Sequence, residues 1–357
     1  MTARVTTLKS ASAGAYYVEQ LPSYYLDSGE PRGLWFGDGA ARLGLVGEVD
    51  DDAFLAVMAG MDPRRPERAL RRRYDEDSVR GFDVTCSAPK SVSVLWALAD
   101  EYVRAEVLAA HDAAVEAMIG WIEQHAHTRY RIGGEVAMVD AEGIVAARFR
   151  QHTSRALDPQ LHTHVVIANR VASPDGRWLA LDARTIKYDQ RTLSALYHAG
   201  LRAELTDRLG VRWQAPERGI AELADVPEAV RVEFSQRTGD VERRIAEKLD
   251  RFTETMEREP TVRERWRLER EAVVDSRPAK PHGTTASELH SVWSEQVRGL
   301  GLDPVRVFTD VLDAVEPAPL SGRPRSYMGV SCGQRWGYRA GWTCRRGEGA
   351  CLGTARS

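Results

Sequence analysis

The sequence contains no apolar run near the roughly 20 residues that a membrane-spanning helix requires, which predicts no membrane insertion. Its first stretch, MTARVTTLKSASAG, lacks the apolar core of a secretory signal and so points to the cytoplasm. Cysteine is scarce, with four in 357 residues. Cys86 stands alone in an apolar context, while Cys332, Cys344 and Cys351 fall near the end. Their spacing fits no zinc pattern and gives no reason to expect disulfides. Excess charge is also missing: the net charge of −3 gives no global pull toward nucleic acid, so any basic surface must be local. No G-x-x-x-x-G-K-[ST] occurs, which argues against a nucleotide-driven motor, and no internal repeat is present. An apolar content of 43% is that of an ordinary globular protein, and the length suits one large domain or two small ones.

What is present is unevenly placed. Tyr16, Tyr17, Tyr24 and Tyr25 crowd four of the 11 tyrosines into ten positions. They could serve as core aromatics, a stacking platform or nucleophiles. Arg64, Arg65, Arg68, Arg71, Arg72 and Arg73 form one candidate basic cluster, and its charge alone reads as a solvated, mobile loop.

Periodicity supplies the frame. RVTTL (4–8) reads as a strand, and SASAGAYYVEQ as a short helix capped by Ser10 or Ser12 and ended by Pro22. FDVTC (82–86) is a strand, with Pro89 suited to the first turn of the helix after it. Between 101 and 126, Val103, Val107, Ala110, Ala114, Met118 and Ile122 recur at helical spacing. Three strand-like runs follow, EVAMVD, IVAARFRQHTS and HTHVVIANR, and then a helix over 187–209 stopped by Gly210. Tyr188 and Tyr197 in that helix read as core packing. The expected division is a catalytic part over 1–216 and a charged helical subdomain over 217–315. Residues 316–357 form an irregular tail with the look of a disordered or non-native end.

Three of the nine histidines fall within HTSRALDPQLHTH. His162 and His164 are two apart, so a strand would set both on one face. DPQ is a turn signal, and pairing of the flanking strands would bring His152 beside them. Three neutral imidazoles on rigid strands would make a metal site with open positions for substrate. A lone His-x-His reads as surface histidines on a hairpin, and the third histidine favours a ligand set. The remaining histidines read as structural or exposed.

Asp83 is a single carboxylate inside an apolar run, a place where carboxylates are paired or hydrogen-bonded. Its partner could be an imidazole N–H or a tyrosine hydroxyl. A phenol, with a reference pKa near 10, needs a proton acceptor to attack at neutral pH.

The stretches SAGAYYVEQLPSYY, WFGDGAARLGLVGEV, GFDVTCSAPKSVSVL, AHDAAVEAM and HTSRALDPQLHTHVVIANR together resemble the relaxase domain of conjugative proteins of the TrwC/TraI (MobF) family, within the HUH endonucleases. The resemblance covers roughly residues 3–300. It implies an α+β fold, with an antiparallel sheet flanked by helices and a helical fingers region closing over single-stranded DNA. It implies that one strand is cut at a plasmid transfer origin, leaving a 5′-phosphotyrosine and a free 3′-OH. Under it, His152, His162 and His164 match the metal ligands, Asp83 the acidic partner, Tyr16 the first nucleophile, and Tyr24 or Tyr25 the second. The implied cofactor is a divalent metal ion, Mg²⁺ or Mn²⁺ foremost and Zn²⁺ as the alternative. The implied partners are origin DNA and accessory relaxosome proteins. Cys86 departs from the Phe expected in the Asp-bearing strand. The helicase part of full-length relatives has no counterpart here. Rival readings are an HUH replication initiator and a single-stranded DNA-binding module without catalysis. A replication initiator carries its tyrosine after the histidines, whereas here the cluster precedes them.

Overall fold

A computed structural model describes residues 3–9, 31–154, 156–275 and 286–313. In chain order, β1 (Ala3–Leu8) and β2 (Leu34–Phe36) are followed by α1 (Asp38–Arg42), α2 (Asp51–Met58) and a small hairpin, β3 (Met61–Asp62) with β4 (Arg65–Ala69). Strand β5 (Gly81–Ser87) leads into α3 (Lys90–Leu98) and the long α4 (Glu101–Gln124). The hairpin β6 (His127–Ile132) and β7 (Glu135–Asp140) precedes β8 (Ile144–Thr153), β9 (Pro159–Ala172) and β10 (Trp178–Leu179). Then come α5 (Arg184–Tyr188), α6 (Gln190–Leu209), α7 (Glu228–Glu233), α8 (Gln236–Met256), α9 (Val262–Asp275), α10 (Ala286–Gly299) and α11 (Pro304–Asp313).

The main sheet runs β1-β5-β9-β8-β2, with β10 also on β9, and every pairing is antiparallel. Strand β9 lies between β5 and β8. Its alternate side chains divide between two different environments. On one side Leu161, Val165 and Ile167 join Val84 and Cys86 in the large core beneath α3, α4 and α6. On the other, Val166 packs with Ala147, Phe149 and Leu8 against Phe54 and Met58 of α2.

Helix α4 behaves as its pattern requires. Asp100 caps it by accepting from the Val103 N–H, and all six periodic residues are buried. Gly210 ends α6 at φ 66°, the left-handed position where glycine is unstrained. EVAMVD is a strand, as expected, and pairs with β6 outside the main sheet. Other expectations need correction. The helix expected over 187–209 is divided at Asp189 into α5 and α6, and Tyr188 is 81% exposed while Tyr197 is fully buried. The arginine cluster is not a bare loop: β4 pairs with β3, held by Asp62, whose Oδ1 accepts from the Arg64 backbone N–H at 3.0 Å.

Beyond residue 217 the described chain is mainly helical, and its regular elements are all helices. The described residues belong to one compact unit. Trp293, Val297, Val307 and Val311 of α10 and α11 enter the same core as α3. Residues 316–357 lie outside the described residues. Because Trp293 is 2% exposed and its Nε1–H donates to the Leu157 carbonyl at 2.9 Å, Trp293→Ala should cost about 3–5 kcal/mol. Urea unfolding should show one transition moved to lower denaturant. A separate early transition for the C-terminal helices would contradict a shared core.

Candidate active site

Strand β9 sets His162 and His164 on one face, their ring centroids 5.3 Å apart and their planes at 72°. Register then decides their neighbours, since residues directly opposite in an antiparallel pair share a face. From β5, Asp83 stands opposite Val166, Thr85 opposite His164 and Ser87 opposite His162. From β8, Phe149 stands opposite His164 and Gln151 opposite His162.

Both rings are oriented through Nδ1. That of His162 lies 2.8 Å from the Gln160 carbonyl oxygen, an acceptor only, so Nδ1 carries the proton and Nε2 the lone pair. In His164, Nδ1 lies 3.0 and 3.1 Å from the two carboxylate oxygens of Asp83, which places a proton on Nδ1 there as well. The Thr85 hydroxyl stands 3.4 Å from Asp83 Oδ2 and 3.2 Å from the same ring nitrogen. A carboxylate–histidine pair of this kind is the usual support behind a metal-binding imidazole. Burial lowers the His162 pKa to about 3, with the neighbouring His164 adding to the effect. At neutral pH His162 is therefore uncharged, the form of imidazole that can bind a metal ion. This donor set fits a divalent ion.

His152 stands elsewhere. Its ring stacks on Trp96 of α3, with centroids 4.5 Å apart and planes at 18°. The strand on which it lies explains this. Arg148 and Arg150 pair with Glu116 and Asp112 of α4, so the even positions of β8 face the helices. His152 continues that series, while Phe149 and Gln151 face the other way. The expected trio is thus split: His162 and His164 are together with Asp83, and His152 is on the helical side. Among the described residues, no three His, Cys, Asp or Glu side chains converge as a formed metal site. Tyr16, Tyr24 and Tyr25 lie outside the described residues.

A support hidden in the sequence sits behind the strand. Thr163, between the two histidines, points into the core, where its Oγ1 is 2.7 Å from His111 Nε2. His111 Nδ1 is 2.8 Å from the Tyr197 hydroxyl. His111 and Tyr197 are fully buried and read from sequence only as structural residues.

A family model described as TrwC relaxase matches residues 10–300. The Multifunctional conjugation protein TraI of Escherichia coli is 30% identical over 322 residues, 86% of this chain. The chain spans 17% of that protein's length. A copper-bound structure of conjugative relaxase TrwC in complex with OriT DNA is 32% identical, with a TM-score of 0.70 over 85% of this chain and 99% of that one. A TrwC structure with a 27-mer DNA comprising the recognition hairpin and the cleavage site is 30% identical, with a TM-score of 0.66 over 84% of this chain and 100% of that one.

Burial also drives the His111 pKa well below the usual histidine range, with the positive Arg150 nearby as the next cause. Unfolded, this histidine takes up a proton near pH 6.5; folded, it stays neutral. The unfolded state then binds more protons, so stability is present above that pH and is lost as pH falls. Each such histidine contributes a slope approaching about 1.4 kcal/mol per pH unit. His111→Gln should reduce the acid slope by about that amount between roughly pH 5.5 and 4.5, measured by urea unfolding in EDTA. An unchanged slope would mean that His111 is charged in the folded protein.

Proposed function

This chain belongs to the TrwC relaxase family, and on that premise we propose that it nicks and rejoins one DNA strand at a plasmid transfer origin, starting conjugative transfer. The observation that carries the reading is the row on β9: two imidazoles side by side, one of them backed by a 5% exposed carboxylate. Such a site has little use in a passive DNA-binding surface.

In the proposed reaction the Tyr16 hydroxyl oxygen attacks the scissile phosphorus and the bond to the 3′ oxygen breaks. The phosphorus stays joined to the 5′ oxygen, giving a 5′-phosphotyrosine and a free 3′-OH. Asp83, at the His164 end of the row, is the acceptor for the phenolic proton. The leaving 3′ oxygen takes up a proton in turn. One phosphate ester replaces another, so the step is near balance and runs backward to reseal the strand. His162 and His164 would hold a divalent metal through Nε2, and Mg²⁺ or Mn²⁺ is the proposed identity. When bound, such an ion offsets charge on the non-bridging phosphate oxygens. Tyr24 or Tyr25 would act in a second transfer.

Exposed Arg64, Arg65, Arg68, Arg71, Arg72 and Arg73 around the β3–β4 hairpin supply a local positive surface for phosphates, which the overall charge of −3 does not. The long hairpin of α8 and α9 is proposed as the fingers over the strand.

Mass spectrometry of the protein after reaction with an origin oligonucleotide tests the assignment. Wild type should carry the DNA on Tyr16. Tyr16→Phe keeps the ring and loses only the nucleophilic oxygen, so it should bind DNA and form no first adduct. Normal cleavage by Tyr16→Phe, or an adduct on Tyr17, would show that another phenol attacks. Binding by the wild type without any adduct would favour a DNA-binding module. In excess EDTA, cleavage should stop and return on adding Mn²⁺ or Mg²⁺. Full activity in the chelator would remove the metal from the mechanism.

A further inference from the structure

The row of side chains beside His162 contains a group that sequence reasoning passed over. Across β9 at this point stand Ser87, His162 and Gln151, in that order, all on the face that also carries His164. We propose that Gln151, rather than His152, is the third protein ligand, its carboxamide oxygen completing a set with Nε2 of His162 and Nε2 of His164. This inference rests on the metal-assisted reading above and goes further by naming the donor set.

Three observations fix the side on which Gln151 lies. Ala147 and Phe149, four and two positions earlier, pack with Val166 beneath α2. Ala146 belongs to the helical core, while Arg148 and Arg150 form ion pairs with α4. The alternation is therefore anchored on both faces up to Arg150, and Gln151 follows on the histidine side. Its register partner is His162 itself. Side chains so opposed have Cβ atoms about 4.5–5.5 Å apart, within reach of one shared ion.

His152 has the opposite placement. The β8–β9 register shifts between Gln151 and Thr153, and the imidazole is already laid against Trp96. To join His162 it would have to leave that stack and pass to the other face of the sheet. Ser87 flanks His162 from β5, but its hydroxyl sits on a single carbon and is a weak neutral donor. Asp83 is engaged with His164 Nδ1.

The substitution of donor type has a chemical consequence. Three imidazoles suit Zn²⁺, Cu²⁺ and Ni²⁺, whereas a carbonyl-type oxygen suits harder ions such as Mg²⁺ and Mn²⁺. A set of two imidazoles and one neutral oxygen should therefore lean toward Mn²⁺ more than a three-histidine site would. Gln151 is, on this reading, a residue that sets metal preference.

The test is metal binding by the full chain, stripped with EDTA and titrated with Mn²⁺ while free Mn²⁺ is followed by electron paramagnetic resonance. Parallel titrations use Co²⁺, read by its visible absorption. Loss of an outer-shell partner of a metal ligand already weakens binding 10–100-fold, so Gln151→Ala should weaken Mn²⁺ by roughly tenfold or more. Gln151→His should hold metal and shift the Co²⁺/Mn²⁺ affinity ratio toward Co²⁺, which keeps the question decidable if the alanine variant fails to fold. His152→Phe preserves the ring stack on Trp96 and should bind both ions as wild type does. His162→Ala is the control and should lose binding. If His162→Ala loses binding while Gln151→Ala and Gln151→His match wild type, Gln151 is not a ligand and only this inference falls. A loss in His152→Phe would place His152 in the set and overturn the inference. Unchanged binding in His162→Ala would sink the metal reading and this inference with it.

Discussion

Strand β9 is hydrogen-bonded along both edges, and its odd positions are held in the main core by Leu161, Val165 and Ile167. That constraint positions everything on the opposite face. A slip of one residue against β5 or β8 would drive both histidines into the helical core and bring Leu161 and Val165 out to the row they left. The cost of exposing those side chains is what holds the two imidazoles at a fixed separation. Thr163 strengthens the same constraint, because its hydroxyl is tied to His111 and through it to Tyr197. A buried polar chain with a partner at each link tolerates few alternative arrangements.

The same burial that fixes the rings also prepares them chemically. His162 stays neutral because a positive charge there would be poorly solvated, and His164 sits beside it. The two rings receive different support, a neutral carbonyl for His162 and a carboxylate for His164. The negative charge in the row is thus set to one side, against His164.

Much of this was legible in the sequence, but not all of it for the same reason. Helix α4 and strands β5 and β9 could be read because their apolar residues keep one period over a long stretch. Short β2 and α2 could not, since three and eight residues carry too little pattern and depend on partners far along the chain. In β4 the charged residues of RPERA hid a strand whose pairing is set by its hairpin and by Asp62. The His162–His164 pair was legible because the spacing of two survives in any strand. The place of His152 was not, because proximity across a hairpin does not reveal parity. Parity depends on the register of β8 against β9, and a one-residue shift falls at that point. Gln151 gave no sign at all, for a glutamine next to a histidine reads as an ordinary polar residue.

The loop between β8 and β9 links this local question to the rest of the molecule. Ser154 Oγ accepts from the backbone N–H groups of Ala156 and Asp158, and Leu157 adopts a left-handed φ of 61°, a conformation that a branched residue holds only when its surroundings impose it. Those surroundings are identifiable. Trp293 of α10 donates to the Leu157 carbonyl, and Lys90 of α3 donates to the Pro159 carbonyl at 2.9 Å. Trp96, against which His152 lies, also meets Trp293 and His290 at ring separations of 6.0 and 5.3 Å. The C-terminal helices therefore brace the turn that decides which residue of β8 stands opposite His162. His152 belongs to that brace: as an aromatic surface between Trp96 and the end of β8, it helps hold Gln151 on the side of the His162–His164 row.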